Sequence, residues 1–360
     1  MKNWKRQIVA TAAAVLLGLG LVGCGAAKSE TTAGSSAESS ASESGSESTA
    51  AESAAESKAE AEAGTALRVG ALKGPTAMGL VNLMQDSQDG KSEGKYEFSI
   101  AAQPDEVAGK LVSGELDIAL LPANMASALY NKTEGKIAVI NINTLGVLYC
   151  VSGDTNIHSV QDLAGKTVYT TGQGATPEYV LRYLLKENGV TDCNLEFKSE
   201  PTEIASLLAA DATAIAVLPQ PFVTVAEAKN EQLKTAFSLT DAWDSLNNGS
   251  RLVTGVTVVR KDVLESRPAE VATFVTEQER SAATAVSNVE QTAARVVAFG
   301  ILENEGVAKK ALPVCNITAI TGEEMKKALS GYLNVLFEAD PKAVGGKLPD
   351  DAFYAMTAAK

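Results

Sequence analysis

Two stretches of this chain, 97 residues apart, repeat one another, and that duplication limits the possible folds more than any other feature. Pro104-Asp105-Glu106-Val107-Ala108-Gly109-Lys110-Leu111 aligns with Pro201-Thr202-Glu203-Ile204-Ala205-Ser206-Leu207-Leu208. Continued without a gap, Ile118-Ala119-Leu120-Leu121-Pro122 aligns with Ile215-Ala216-Val217-Leu218-Pro219. Nine positions agree in identity or near-identity, too many for chance. Each proline fits the first helical turn, where a missing N–H is harmless, and a glutamate follows near the positive helix end. Val107, Ala108 and Leu111, then Ile204, Ala205 and Leu208, form the stripe of a packed helix. The short apolar runs that follow have the character of buried parallel strands, each stopped by a proline.

The upstream elements correspond as well. Leu67 to Leu72 is expected to be a strand, Lys73-Gly74 a turn, and Pro75 the start of a helix with Ala77, Leu80, Val81 and Met84 on its apolar face. In the second copy Lys166 to Thr170 is the strand and Thr171 to Ala175 the turn. Thr176 is the expected N-cap, Pro177 the first helical residue, and Asn188-Gly189 the close. Each copy is thus β-α-β-α-β in outline, and the fold class is α/β with two similar doubly wound lobes.

Ligands of open α/β sheets bind beyond the carboxyl ends of the strands. Four loops fall there: 73–76 and 122–124 in the first copy, 172–176 and 219–221 in the second. The candidate ligand-binding residues are therefore Lys73, Gly74, Thr76, Pro122, Asn124, Thr144, Thr171, Gly172, Gln173, Gly174, Thr176 and Gln220. Free N–H groups at glycine-flanked helix starts suit an anion or carboxylate. Lys73 is the one cation on these loops, and its alternative role is that of an ordinary exposed lysine. No arginine is present to grip a carboxylate or sulfonate in bidentate fashion. The remaining groups are neutral hydrogen-bonding side chains, with caps and turns as their alternative roles. Alanine at Gln173 or Asn124 is expected to weaken binding while leaving stability little changed. Tyr130, Tyr149, Phe222 and Trp243 are either an aromatic wall or core. His158, the sole histidine, is expected at the surface. Gly172-x-Gly174 lacks the third glycine and the timed acid of a dinucleotide fingerprint, so no cofactor is expected.

The N-terminus is a separate matter. Lys2, Lys5 and Arg6 precede an uncharged apolar run from Ile8 to Val22, which is shorter than the roughly 20 residues of a spanning helix and typical of a signal peptide. Leu21-Val22-Gly23-Cys24 resembles a bacterial lipobox, which implies acylation of Cys24 and a lipid anchor on the extracytoplasmic face of the cell membrane. Residues 25 to about 64 are almost all Ser, Ala, Glu, Thr and Gly, with eight glutamates against Lys28 and Lys58. So little apolar surface cannot offset ordering entropy, and a tether is expected. The formal charge of −13 leaves the body acidic, which argues against nucleic acid as a partner. Cys150, Cys193 and Cys315 are an odd, widely spaced set, neither a disulfide framework nor a metal pattern, although one pair could bridge.

Ser159-Val160-Gln161-Asp162-Leu163-Ala164-Gly165-Lys166-Thr167-Val168, followed by Gly172-Gln173-Gly174, resembles the solute-binding proteins of ABC importers. The likeness runs from about 67 to 340 and is nearest the subgroup of nitrate, sulfonate, taurine and thiamine-precursor binders. It implies a type II periplasmic-binding-protein-like fold with two hinge strands, for which Ile140 to Ser152 and Leu252 to Arg260 are the candidates. The organisation expected is a signal peptide (1–23), a tether (24–66), lobe I (67–148 and 255–360) and lobe II (149–254). C-terminal helices are expected near 268–304, 306–312 and 321–339. The function implied is capture of a small polar organic solute by a monomeric receptor and its delivery to a permease and ATPase. Two alternatives stay open: a sensor or adhesion lipoprotein, and an enzyme like the pyrimidine synthase of thiamine biosynthesis. That enzyme's chemistry requires histidine and an iron-binding cysteine cluster, and no catalytic set is recognisable in this chain.

Overall fold

Pro104–Ser113 and Pro201–Ala210 are helices, and Ile118–Pro122 and Ile215–Pro219 are strands, so the 97-residue offset holds at both ends of both pairs. The computed structural model describes residues 64–356; the leader, Cys24 and the stretch up to residue 63 lie outside the described residues. The strands are β1 (Leu67–Leu72), β2 (Tyr96–Ala101), β3 (Ile118–Pro122), β4 (Ile137–Leu145), β5 (Leu148–Ser152) and β6 (Thr167–Thr170). They continue as β7 (Asn194–Phe197), β8 (Ile215–Pro219), β9 (Lys234–Ser238), β10 (Val253–Arg260) and β11 (Ile317–Ile320).

They form two sheets, ordered β11-β4-β10-β3-β1-β2 and β7-β6-β8-β5-β9. In each, three parallel strands (β2-β1-β3 and β7-β6-β8) are followed by an antiparallel neighbour. That neighbour is exchanged: β10, late in the chain, completes the first sheet, and β5, which precedes the second copy, completes the second. The result is two similar doubly wound α/β lobes with the topology of type II periplasmic binding proteins.

The chain crosses from β4 to β5 at Gly146-Val147. It returns from β9 through the helix Leu239–Ser245 and residues 246–252 to β10. The expected second hinge strand, apart from Leu252, is thus a strand of the first sheet, and the return itself is a helix and a loop. The two crossings touch. A Cβ on Gly146 would lie 2.1 Å from Thr240 Oγ1 and 2.8 Å from Leu252 Cδ2, so no larger residue fits without movement there. Asn316, at φ 44°, donates its side-chain amide to the Gly146 carbonyl and accepts from Leu145 N–H at 3.1 Å.

The helix expected from Pro75 is broken into Pro75–Met78 and Val81–Gln88. The Ser281 hydroxyl causes this: it donates to the Gly79 carbonyl (2.7 Å) and accepts from Leu83 N–H (3.1 Å), replacing the helical bond between those groups. The C-terminal helices are Pro268–Ser287, Val289–Ala298, Glu305–Ala311 and Gly322–Ala339; the first two divide at Asn288, whose side chain caps the second.

One face of the first sheet packs on Pro75–Gln88 and the helices 268–298. The other face joins the second sheet in a single apolar cluster that includes Val139, Ile142 and Val256 from one lobe and Cys150, Val168 and Val217 from the other. Among the described residues no helix is long and apolar enough to cross a membrane.

Candidate functional site: the boundary between the lobes

The Ser159–Val168 motif has a plain structural basis. Ser159 caps a short helical turn, and Asp162 Oδ2 accepts from the Ser159 N–H (2.9 Å), the Ser159 hydroxyl (2.9 Å) and the His158 N–H (3.0 Å). These bonds hold the Asp162 carboxyl below its usual range, the backbone bond from His158 being the largest cause. Leu163 is buried, Gly165 turns at φ 68°, and the chain enters β6. His158 itself is exposed.

Beyond β6, Gly172 (φ 72°) and Gly174 (φ 73°) take the left-handed conformation, so a side chain at either would strain the turn. They aim the chain into the helix Thr176–Glu187, whose N-cap is Ala175 rather than the expected Thr176. The N–H groups expected to be free here are partly used. Gly174 N–H donates to Glu178 Oε2 at 2.7 Å, and Glu178 Oε1 accepts from Arg182 Nε at 2.7 Å. The helix start therefore supplies its own carboxylate, which counts against anion capture at that point.

As the first helical residue, Thr176 is 1% exposed and turns its hydroxyl to the other lobe. It donates to Asn124 Oδ1 at 3.0 Å. Asn124, also 1% exposed, opens the helix Ala123–Lys132 beyond β3. Its amide donates to the Ala343 carbonyl (3.2 Å) and, at 3.4 Å, to the Gly174 carbonyl. Loops 122–124 and 172–176 thus meet directly.

The other candidates are more dispersed. Thr76 donates to the Leu72 carbonyl at 2.9 Å and Thr144 to Asn143 Oδ1 at 2.8 Å. Both flank Gly255, where a Cβ would lie 3.2 Å from Thr76 Cγ2 and 3.3 Å from Thr144 Cβ. Gln220 turns into its own lobe and accepts from the Thr224 hydroxyl at 2.9 Å. Gly74 and Thr171 are buried and Pro122 is half-buried. Lys73 and Gln173 are exposed.

Of the four aromatics, Trp243 lies at the boundary. It is fully buried, donates Nε1–H to Ser250 Oγ at 3.1 Å, and packs on Tyr183 (ring centroids 4.9 Å) and Tyr332 (5.5 Å). Tyr149 donates to the Val314 carbonyl at 3.2 Å, linking β5 to the C-terminal region. Phe222 is core of the second lobe, and Tyr130 packs on Phe353. Tyr183 and Tyr332 are absent from the expectations drawn from sequence. Tyr332 falls on the regular stripe Met325, Ala328, Leu329, Leu333, Leu336, which marks it as core and gives no hint of a boundary position.

Cys150, Cys193 and Cys315 are free thiols. Burial pushes Cys150 up to about 12 and raises Cys315 further. Among the described residues no group of three or more His, Cys, Asp or Glu side chains is placed to hold a metal ion.

The family model described as menaquinone biosynthesis matches residues 67–338, which is all of both sheets and most of the last long helix. The chain belongs to the menaquinone-biosynthesis family. This differs from the subgroup named by the Ser159–Val168 motif, and the likeness to that subgroup lies in the fold. A search of curated proteins finds no match. Solved structures similar to this family member include an ABC transporter from Parabacteroides distasonis, 26% identical, covering 81% of this chain and 99% of that one at a TM-score of 0.69. The ligand-binding component of an ABC-type import system from Staphylococcus aureus, with zinc bound, is 14% identical, covering 82% and 100% at 0.63. The periplasmic aliphatic sulphonate-binding protein of Escherichia coli is 17% identical, covering 78% and 90% at 0.62.

Proposed function

We propose that the chain is the solute-binding component of an ABC importer, with its cargo taken between the two lobes. The observation that carries this reading is the direct meeting of duplicated loops across the lobe boundary, Asn124 with Thr176 and Gly174. A ligand contacted by both lobes only when they close would favour the closed form through its differential affinity. The likeness to the Parabacteroides distasonis ABC transporter over nearly all of that chain supports the same reading. The cargo is a small polar organic molecule, bound by neutral groups around loops 73–76, 122–124, 172–176 and 219–221. The receptor is a monomer, with lobe I at 67–148 and 255–360 and lobe II at 149–254. Acylated at Cys24 and tethered by residues 24–66, it works on the extracytoplasmic face beside its permease and ATPase. One acyl chain contributes about 0.8 kcal/mol per buried methylene to that attachment.

A second reading is favoured by the family itself: a role in menaquinone biosynthesis, either chemical or as a carrier of a naphthoquinone-related compound. One experiment addresses both. The processed protein is melted with ethanesulfonate, taurine, nitrate, cytosine, a set of amino acids, and the naphthoquinone menadione. A rise in melting temperature with one of the polar solutes supports import; a rise with menadione alone supports the second reading; no rise with any of them counts against capture of a solute.

A further inference from the structure

Among the described residues, four buried side-chain atoms have no hydrogen-bond partner: Asn131 Oδ1, Asn141 Oδ1, Thr254 Oγ1 and the Tyr332 hydroxyl. The two asparagines are held through their amide N–H groups, Asn131 by Val344 and Lys347 and Asn141 by Gln278. Tyr332 has no such second group. A fully buried tyrosine normally finds a partner for its hydroxyl, and leaving one unpaired costs more than a hydrogen bond contributes. A phenylalanine would fill the same apolar position without that penalty, so the hydroxyl calls for an explanation other than packing.

Its position supplies one. Tyr332 stands on the helix Gly322–Ala339, which packs on β4 and β10 of the first sheet and on the helix Thr176–Glu187 of the second lobe. Its ring lies against Trp243 of the second lobe. The Thr176 hydroxyl, which donates to Asn124, is close enough to act on the phenol's titration, at a geometry short of a hydrogen bond. Burial raises the Tyr332 pKa, so the hydroxyl keeps its proton at neutral pH and stands as a donor. Asn124, Thr176 and Tyr332 therefore form a neutral polar group at the seam, two members joined to each other and the third unpaired.

We infer that Tyr332 is a ligand-binding residue of the interlobe site, whose unpaired hydroxyl donates to an acceptor oxygen or nitrogen of the captured solute beside Asn124 and Thr176. The inference rests on the solute-capture reading above. A neutral donor set of this kind suits an uncharged acceptor such as a carbonyl, amide or ring nitrogen, because no buried cation is among the three to balance a full negative charge.

The test is Tyr332→Phe in the processed protein, beside Asn124→Ala, using the same panel of ethanesulfonate, taurine, nitrate, cytosine, amino acids and menadione. Without additive, Tyr332→Phe should melt at or above the wild-type temperature, because an unpaired buried hydroxyl has been removed. With a panel compound that stabilises the wild type, its affinity should fall by about fivefold or more, the loss of one hydrogen bond to ligand. An unchanged affinity in Tyr332→Phe, with a loss in Asn124→Ala, would overturn the assignment of Tyr332 and leave solute capture standing. A clear drop in the melting temperature of Tyr332→Phe would also overturn it, by showing that the hydroxyl is a structural bond. If no compound stabilises the wild type, the capture reading fails and the role of Tyr332 fails with it.

Discussion

Asn124 is where a sequence-based expectation changes sign. From sequence, alanine there is expected to leave stability little changed. The structure makes it costly. At 1% exposure Asn124 accepts from Thr176 Oγ1 at 3.0 Å and donates to the Ala343 carbonyl at 3.2 Å, with a weaker donation to Gly174 at 3.4 Å. A typical net hydrogen bond is worth about 0.5–1.5 kcal/mol, and truncation also strands the buried groups left behind. Asn124→Ala should therefore lower unfolding stability by about 2–3 kcal/mol. Thr176→Val should cost less, about 1 kcal/mol, because it removes one donor. Part of each loss is the same bond, so the double variant should fall short of additivity by about 0.5–1.5 kcal/mol. The assay is urea unfolding of the four proteins, comparing midpoints at equal m-value. Strict additivity would show that the two side chains are not coupled across the lobe boundary, and would refute the reasoning.

Three further outcomes follow from named contacts. Gly146→Ala places a Cβ 2.1 Å from Thr240 Oγ1 and should destabilise by about 1–3 kcal/mol, with Thr240→Ala recovering part of the loss in thermal melts. Native alkylation at pH 8 should label half-buried Cys193 before Cys150 or Cys315, whose burial suppresses the thiolate; equal labelling of all three, read by peptide mass spectrometry, would contradict their placement. Burial, then the bond to Asp350, pushes the Tyr130 phenol up to about 12, so its contribution is fully present below pH 10 and lost as pH rises through about 12. Melting temperature across pH 9–12 should accordingly fall less steeply in Tyr130→Phe than in the wild type.

The fold was legible because its signals are local. Prolines at 104, 201, 122 and 219 set the boundaries of the repeated helix and strand, and the offset survives in three dimensions to the residue. What escaped the sequence depends on contacts made far along the chain. The break after Met78 depends on Ser281, and the exchange of β10 and β5 between sheets depends on pairings that no local pattern encodes. The same holds for the site. Asn124 and Thr176 could be placed on strand-end loops of the two lobes from sequence alone, but not their bond. Gln220 and Thr76 look identical in kind to Asn124 in sequence; only the structure turns them toward their own lobe. Tyr332 was hidden by the regularity of its helix.

The central claim is that the two lobes close on a solute at this seam. Spin labels at Lys73→Cys and Gln173→Cys, both exposed and on candidate loops of different lobes, in a protein carrying Cys193→Ser, report the separation by electron–electron distance measurement. Without solute the account predicts a broad distribution that includes longer distances. A panel compound that stabilises the protein should narrow it toward the short distance. A compound that binds while leaving that distribution broad would contradict closure of the lobes around it.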